Sequence, residues 1–271
     1  GGARAVGYVV DAESAFRFLP IQHADLWTQC FSWWGADGEA GVCVDRRMAF
    51  GGTYSPNRFE RLSTLVAAHI QTKQAAFDDT QPLPPSAQEW AAERRVLQSH
   101  GLLTPGTQQL NPRYLQVYVD DFTGCALDDS VVLSQSVRDE IQAVSIGASQ
   151  GTTHTAFAQA QPETRVYVHA QLAVCGLRDV GLSAAPSKVV VGDPLIALGL
   201  QLNRAAGVID CPEGKQVAIR ADIAEQRAWA MQGIAESVRT ERLVGRLCNL
   251  AQIWPELAEH LHGGYALVRS R

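Results

Sequence analysis

The sequence lacks three features that would assign it to a broad class of proteins. It has no apolar run of the roughly 20 residues that a membrane span requires, and its first residues, Gly1 to Arg4, do not resemble a signal peptide. Its six cysteines show no Cys-x-x-Cys spacing, and none lies at a zinc-finger distance from a histidine pair. These absences predict an intracellular chain with reduced thiols, no structural zinc and no membrane partner.

Positive charge is also scarce. The 271 residues carry 23 Lys and Arg against 28 Asp and Glu, a formal net charge of −5. Proteins that bind nucleic-acid phosphates normally have an excess of basic residues, so this balance argues against such a partner. The distribution of charge along the chain weakens this argument, because residues 215–271 carry eight Lys and Arg against six acidic residues. At this length, with 46% hydrophobic residues, the chain can bury one sizeable core or two modest ones.

Two adjacent carboxylates, Asp120 and Asp121, follow the apolar run 114–119, where a strand is expected to turn. Adjacent acids repel each other and lose hydration when buried, so they persist mostly beside a compensating cation; Mg²⁺ takes oxygen ligands of this kind. A third carboxylate is therefore expected nearby, and the candidate is Asp11, which ends a second apolar run, 5–10. The alternative interpretation makes Asp120 and Asp121 only a polar turn.

A glycine-containing loop and a helix start lie between these acidic sites. Ser55 is expected as the N-cap and Pro56 suits the first helical turn. Helical spacing then predicts one buried face. Its members are Phe59, Leu62, Leu65, Val66 and Ile70.

In this order, the segments resemble the conserved motifs of reverse transcriptases. Motifs A to E correspond to residues 11–21, 48–62, 118–121, 181–188 and 198–200. The form of motif B, together with residues 212–215, favours Gypsy-type and DIRS-type retroelements over retroviral enzymes. The resemblance implies an RNA-directed DNA polymerase that transfers dNTPs to a primer 3′-OH.

The resemblance also implies a role for each motif residue. Asp11, Asp120 and Asp121 would bind two Mg²⁺ ions, with Mn²⁺ as a substitute, and Lys188 would donate a proton to the leaving pyrophosphate. The primer grip would be Leu198, Gly199 and Leu200. The residues implied to contact template or nucleotide are Phe16, Arg17, Phe50, Gly51, Gly52, Ser55, Pro56 and Tyr118.

Phe16 is the residue that implies DNA rather than RNA synthesis. It lies five residues after Asp11, where the family places an aromatic ring that leaves no room for a ribose 2′-hydroxyl. Taken alone, Phe16 is more simply interpreted as a core aromatic. Lys188 likewise has a plain interpretation, that of a solvated lysine at a strand end.

The implied fold is α+β: a polymerase palm, with an antiparallel sheet and helices on one face, followed by a small helical thumb. The palm would cover residues 1–212, with insertions at about 72–112 and 128–162, and the thumb residues 213–271. The fingers would be largely absent. The implied partners are a primer on an RNA or DNA template, dNTPs, and the fingers and ribonuclease H domain of a full-length polyprotein.

Periodicity and turn residues predict the individual elements. They are a strand at 5–10, a hairpin of residues 26–34 and 41–48, a helix near 87–99, a hairpin returning through 122–127, a helix at about 163–178, strands at 188–191, 195–202 and 207–210, and helices over 220–268. Asp128 and Asp129 are interpreted as a surface turn.

Two rival functions stay open. One is an RNA-directed RNA polymerase, which the apolar Phe16 disfavours. The other is a catalytically silent relic of a reverse transcriptase that binds nucleic acid or a protein, which the missing fingers, the insertions and the acidic balance favour.

Overall fold

The computed structural model describes residues 4–48, 55–102, 114–148, 164–184, 188–203, 206–233, 237–251, 254–257 and 261. The fold is α+β with antiparallel sheets, as predicted. The chain divides into two compact units, Gly1–Gly192 and Asp193–Arg271, whereas the sequence placed the domain boundary at 212. In the described part of the chain, no helix has the length and apolar character needed to cross a membrane.

The first unit contains the strands and helices that position the acidic residues. In chain order they are β1 (Ala5–Asp11), β2 (Cys30–Trp34), β3 (Ala40–Val44), α1 (Ser55–Asp78), α2 (Pro85–Ser99), β4 (Tyr114–Tyr118), β5 (Asp121–Leu127), α3 (Gln135–Ala148), α4 (Arg165–Asp179) and β6 (Val190–Gly192). Two short 3-10 helices, Ala15–Phe18 and His23–Gln29, lie between β1 and β2. The second of them occupies residues that the sequence assigned to the strand 26–34, and β3 ends before the predicted residue 48.

Four of these strands form one antiparallel sheet in the order β4-β5-β1-β6. Side chains alternate between its faces, and Val6, Tyr8 and Val10 of β1 point into the same core as Phe122 of β5. Helices α1 and α4 supply the other half of this core. The opposite face of the sheet is therefore the one on which polar residues can gather.

Gly124 of β5 makes room for a ring in this core. It pairs with Tyr8 of β1, and a Cβ at position 124 would lie 2.2 Å from the Tyr8 ring, a distance that no side chain tolerates. The Tyr8 hydroxyl accepts a 2.7 Å hydrogen bond from Nε2 of Gln74 on α1. The glycine thus allows a strand residue to bond directly to a helix.

Helix α1 confirms the predicted start and most of the predicted face. Pro56 lies in its first turn, and Phe59, Val66 and Ile70 are buried. The prediction for Leu65 is wrong, because this side chain is 71% exposed. At about 100° per residue, a position six residues after Phe59 points well away from the buried stripe. The helix also continues to Asp78, past the start of the insertion expected at 72.

A buried ionic network joins α1 to α4. The Arg165 guanidinium, 1% exposed, donates to Asp78 Oδ1 at 2.9 Å and to both carboxylate oxygens of Asp129 at 2.9 and 2.8 Å. His169 Nε2 lies 3.0 Å from Asp78 Oδ1. The interpretation of Asp128 and Asp129 as a surface turn is therefore wrong for Asp129, whose side chain is 10% exposed.

Helix α3 was not predicted. Its residues Val137 and Ile141 pack with Leu133 against a small core cluster that contains Phe77 and Leu172. Their spacing of four residues is a helical signal, but it covers only two turns.

The second unit contains three short strands and two helices in its described residues. They are β7 (Leu195–Ala197), β8 (Leu200–Asn203), β9 (Val208–Asp210), α5 (Glu213–Met231) and α6 (Ser237–Leu250). The single strand predicted at 195–202 is instead two strands joined at Leu198 and Gly199, which both have positive φ, 51° and 71°. Two consecutive left-handed residues suit a tight hairpin turn. Helix α5 begins at Glu213, earlier than the predicted 220.

We expect Arg165→Met to lower the free energy of unfolding by about 3–5 kcal/mol, because it leaves the carboxylates of Asp78 and Asp129 buried without a cation. Urea unfolding measures this loss. Arg4→Ala is the control, since Arg4 is 67% exposed and pairs with Asp128 only at the surface, and it should cost under about 1 kcal/mol. Equal, small losses in both variants would contradict a stabilising role for the network.

Candidate active site

Four polar side chains form one row across the sheet. Asp11 of β1 pairs with Asp121 of β5, and Asp121 pairs in turn with Tyr118 of β4. Lys188, two residues before β6, donates a 2.8 Å hydrogen bond from its Nζ to Oδ2 of Asp11. Residues directly opposite each other in antiparallel strands share one face of the sheet. Strand register therefore places Asp11, Asp121 and Tyr118 side by side, and the hydrogen bond places Lys188 at the Asp11 end of this row.

The row lies on the face of the sheet opposite to α1 and α4. Val10 and Phe122, which adjoin Asp11 and Asp121 in sequence, are fully buried in the core beneath these helices, and successive strand residues point to opposite faces. Burial differs along the row, because Asp11 is 7% exposed and Tyr118 is 61% exposed. The site thus has a sheltered carboxylate and an accessible rim.

Asp120 is placed by the turn between β4 and β5. Because Tyr118 pairs with Asp121, Val119 and Asp120 form a two-residue hairpin turn. Val119 has a φ of 56°, a left-handed conformation that β-branched residues rarely adopt. The Ala12 N–H donates a 2.9 Å hydrogen bond to the Asp120 carbonyl oxygen, which ties the turn to the end of β1. Such a conformation costs about 1–3 kcal/mol and persists where surrounding contacts enforce it.

The surroundings of the row raise the pKa values of Asp120 and Asp121. Burial, followed by the charges of Asp11 and Asp120, raises the pKa of Asp121 to about 6. Burial also raises the pKa of Asp120, with a smaller contribution from Asp11, and the positive charge of Lys188 opposes both shifts. Residues distant in the chain therefore concentrate negative charge at a single point.

Lys188 partly compensates this charge. Its Nζ donates a 2.8 Å hydrogen bond to Oδ2 of Asp11, and this bond raises the pKa of Lys188. The lysine side chain is 61% exposed, so the ion pair contributes little to stability. Its effect is local, because it places an ammonium group against the most buried carboxylate of the row.

Carboxylate oxygens are the type of donor that a hard divalent cation such as Mg²⁺ prefers. A cation beside the row would relieve the unfavourable environment in which burial and the neighbouring acids raise the pKa values of Asp120 and Asp121. As these side chains stand, however, the described ranges contain no group of three His, Cys, Asp or Glu residues arranged as metal ligands. Because Lys188 bonds to Oδ2 of Asp11, a metal ion would have to displace the ammonium group or use the other oxygens.

Three further residues that were predicted to contact template or nucleotide do not belong to the row. Phe16 is 9% exposed and packs edge to face on Phe59, with ring centroids 5.6 Å apart, as its core interpretation requires. Arg17 forms an ion pair with Asp45, and this hydrogen bond lowers the pKa of Asp45. Ser55 is buried at the start of α1.

Several predicted residues cannot be related to the row. Phe50, Gly51 and Gly52 lie outside the described residues. Leu198 and Gly199 form the turn that precedes β8, which begins at Leu200, and all three belong to the second unit.

Sequence reasoning missed two structural contributors to the site. The Ala12 N–H that holds Asp120 is a backbone group, and no residue pattern reveals it. Val119 also gave no signal, since a turn at this position favours glycine. The hydrogen bond between Lys188 and Asp11 could have been inferred only from the pairing of β1 with β6.

Comparisons with known proteins add little to the geometry. No family model matches the sequence, and no curated protein is significantly similar to it. Among solved structures, the chain is similar to a foamy viral protease-reverse transcriptase in complex with an RNA/DNA hybrid, with a TM-score of 0.40 and 13% identity. The alignment covers 98% of this chain and 27% of that one, so this chain spans about a quarter of its length. A TM-score this low carries no argument about function, which has to be argued from the site.

We expect Asp121→Asn to stabilise the protein in the absence of divalent cations, because it removes a carboxylate whose charged form is disfavoured by burial and by the charges of Asp11 and Asp120. The folded-state pKa of Asp121, about 6, lies above its ordinary value of 3.8, so the wild type loses stability as the pH rises between these values. The advantage of the variant should therefore grow over this range and stay constant above it. For a half-exposed group we expect about 1 kcal/mol after allowance for solvent screening.

Urea unfolding at several pH values, with a chelator present, measures this difference. Asp25→Asn serves as the control, since Asp25 is an exposed carboxylate outside the row, and it should show no comparable gain. An Asp121→Asn variant that is less stable than the wild type at every pH would contradict an unfavourable charge at position 121.

Proposed function

We propose that the chain carries a metal-dependent nucleotidyl-transfer site that adds dNTPs to the 3′-hydroxyl of a primer on an RNA or DNA template. The observation that supports the proposal is the gathering of Asp11, Asp120 and Asp121 at adjacent strand ends, with Lys188 beside them. Gathering three carboxylates, one buried and two half-buried, is costly. A fold that retains such an arrangement is best explained by a cationic ligand.

The metal would be two Mg²⁺ ions, which when bound lower the pKa of the primer hydroxyl and neutralise charge on the leaving pyrophosphate. Asp11 and Asp120 would be the shared ligands, and Asp121 would be the auxiliary carboxylate nearer to the primer end. In this role the burial of Asp11 keeps water away from one ligand, while the hairpin turn holds Asp120 in place.

Lys188 would hold and then donate a proton. Its ammonium form carries the proton at neutral pH, and the hydrogen bond to Asp11, which raises the pKa of Lys188, retains that proton while the bond is intact. With Asp11 engaged as a metal ligand, the hydrogen bond that restrains Lys188 would weaken, and the exposed side chain would be free to reach the pyrophosphate. A positioned acid of this kind contributes about 10²–10⁴-fold to the rate.

The primer and template would approach the face of the sheet that carries the row, where Tyr118 is exposed. The net charge of −5 favours weak binding by this chain alone, with further affinity from the fingers and ribonuclease H domain of a longer polyprotein. The contact of Phe16 with Phe59 supports a core role for its ring. Phe16 would select against ribonucleotides only if its ring also reached the nucleotide at the edge of that core.

We expect Asp120→Asn to lower primer extension with Mg²⁺ by at least about 100-fold, because loss of one carboxylate ligand removes several kcal/mol of transition-state stabilisation. Mg²⁺ should also raise the melting temperature of the wild type but not that of the variant. Asp128→Asn is the matched control, since this acid lies just past the other end of β5, at the surface, and should change neither measurement.

The pair of measurements separates the rival functions. Extension with rNTPs in preference to dNTPs would favour an RNA-directed RNA polymerase. Mg²⁺-dependent stabilisation without extension would indicate an intact metal site that needs the rest of the polyprotein. A protein that shows neither primer extension nor Mg²⁺-dependent stabilisation would overturn the proposal and favour a silent binding module. The ion pair between Lys188 and Asp11 is the observation that supports this alternative.

We expect Lys188→Gln to lower the single-turnover extension rate by about 100-fold while leaving the Mg²⁺-dependent stabilisation intact or increased, because no ammonium group then competes for Asp11. The rate should also lose the decrease at high pH that deprotonation of Lys188 causes. Single-turnover rates across a pH series and thermal unfolding with Mg²⁺ check both effects. An unchanged rate would limit Lys188 to a charge-compensating role.

A further inference from the structure

Beyond the row, the same face of the sheet continues as a surface without charge. In the described part of the sheet, the positions two and four residues from the row along each strand carry no Lys, Arg, Asp or Glu. A sheet face that meets only water normally carries polar and charged residues, whereas the centres of interfaces are depleted of charge and enriched in tyrosine. This part of the face therefore has the composition of an interaction surface.

The accessible part of this surface lies on the edge strand β4. Tyr114 and Tyr118 are 53% and 61% exposed, and Gln116 between them is also exposed. Alternate residues of a strand line one face, so these three side chains form a track that begins beside Asp121 and leads away from the row. On β1, in contrast, Val9 is only 8% exposed. The described structure thus leaves an open path from the row along β4.

Two hydrogen-bond donors lie at the middle of this track. The Tyr114 hydroxyl donates to Oε1 of Gln116, which leaves the amide nitrogen of Gln116 as a donor with no bond to the described residues. Gln116 pairs with Thr123 of β5. Cα atoms of residues paired in this way lie about 4.5–5.5 Å apart, and their side chains share one face. The Gln116 amide and the Thr123 hydroxyl can therefore reach the same acceptor group.

A phosphate of the primer strand is the acceptor that this pair fits. Uncharged Gln, Thr and Tyr side chains make many of the contacts that proteins form with phosphate and sugar. The pair lies two residues along its strands from Asp121 and Tyr118, a distance of about 6.6 Å. This is close to the rise of two nucleotides along one strand of a duplex, at about 3.4 Å each. No acidic side chain of the described sheet lies at this level to repel a phosphate.

We propose that Gln116 and Thr123 bind the second phosphate from the 3′ end of the primer, and thereby hold the terminal hydroxyl at the acidic row. The inference rests on the proposed function, because it takes the row as the position of the primer terminus. Both residues contribute to binding and position, and neither takes part in proton or phosphoryl transfer.

Replacement of single primer phosphates tests this contact. A fluorescent primer-template is titrated with the protein at low ionic strength in the presence of a chelator, and anisotropy gives the dissociation constant. A neutral methylphosphonate at the second phosphate should weaken wild-type binding about tenfold, and more than the same change farther from the 3′ end. Gln116→Leu should bind the unmodified primer about tenfold more weakly. In this variant the methylphosphonate should have little further effect, because the contact is already lost.

Variants at position 123 and a second glutamine provide the controls. Thr123→Val removes the hydroxyl at nearly constant shape and should weaken binding as Gln116→Leu does, whereas Thr123→Ser keeps the hydroxyl and should bind like the wild type. Gln98→Leu is the matched control, since Gln98 is an exposed residue of α2, outside the sheet, and it should leave the dissociation constant unchanged. All variants should keep the wild-type circular dichroism spectrum.

The metal-dependent measurements separate the failure of this inference from that of the proposed function. Selective loss of binding in Gln116→Leu, with a wild type that shows neither extension nor Mg²⁺-dependent stabilisation, would overturn nucleotidyl transfer and leave the phosphate contact standing. Normal extension with unchanged dissociation constants in Gln116→Leu and Thr123→Val would overturn the contact alone. Equal losses from a methylphosphonate at every primer phosphate would also overturn it, as would a wild type that does not bind the primer-template.

Discussion

The antiparallel register of β1 against β5 is the constraint on which the candidate site depends. It places Asp11 opposite Asp121, although the two residues are far apart in the chain. A shift of one residue would turn one of these acids towards the helices and bring an apolar neighbour to the site. The core prevents this shift, because Val10 and Phe122 are fully buried against α1 and α4. Packing on one face of the sheet thus maintains the carboxylates on the other.

Polar groups within the core restrict the helices in a similar way. Gln74 on α1 bonds to the Tyr8 hydroxyl and to the His169 carbonyl oxygen of α4, and Arg165 bonds to Asp78. Buried ion pairs recover little net stability, but they allow few alternative arrangements. We infer that they specify how α1 and α4 lie on the sheet. With the helices so held, the fold can retain a strained Val119 and mutually repelling acids at its opposite face.

The elements that were predicted correctly have strong local patterns. A continuous apolar run indicated β1, and helical spacing after Pro56 indicated α1. Helix α3 was missed because its few apolar residues face a small cluster built largely from α1 and α4. The error at Leu65 arose because a spacing rule alone does not show how wide the buried stripe of α1 is. In the second unit, a single strand was predicted where a turn at Leu198 and Gly199 divides it.

By itself, the sequence determined most of the elements in the first unit, α3 excepted, and the presence of acids at two strand ends, because strands and helices form according to short-range patterns. Only the tertiary structure decided which charges meet. Lys188 with Asp11, Arg17 with Asp45 and Arg165 with Asp129 are all pairs of this kind. Their partners come from separate elements, so their contacts depend on strand register and helix packing, which are properties of the whole core rather than of any local segment.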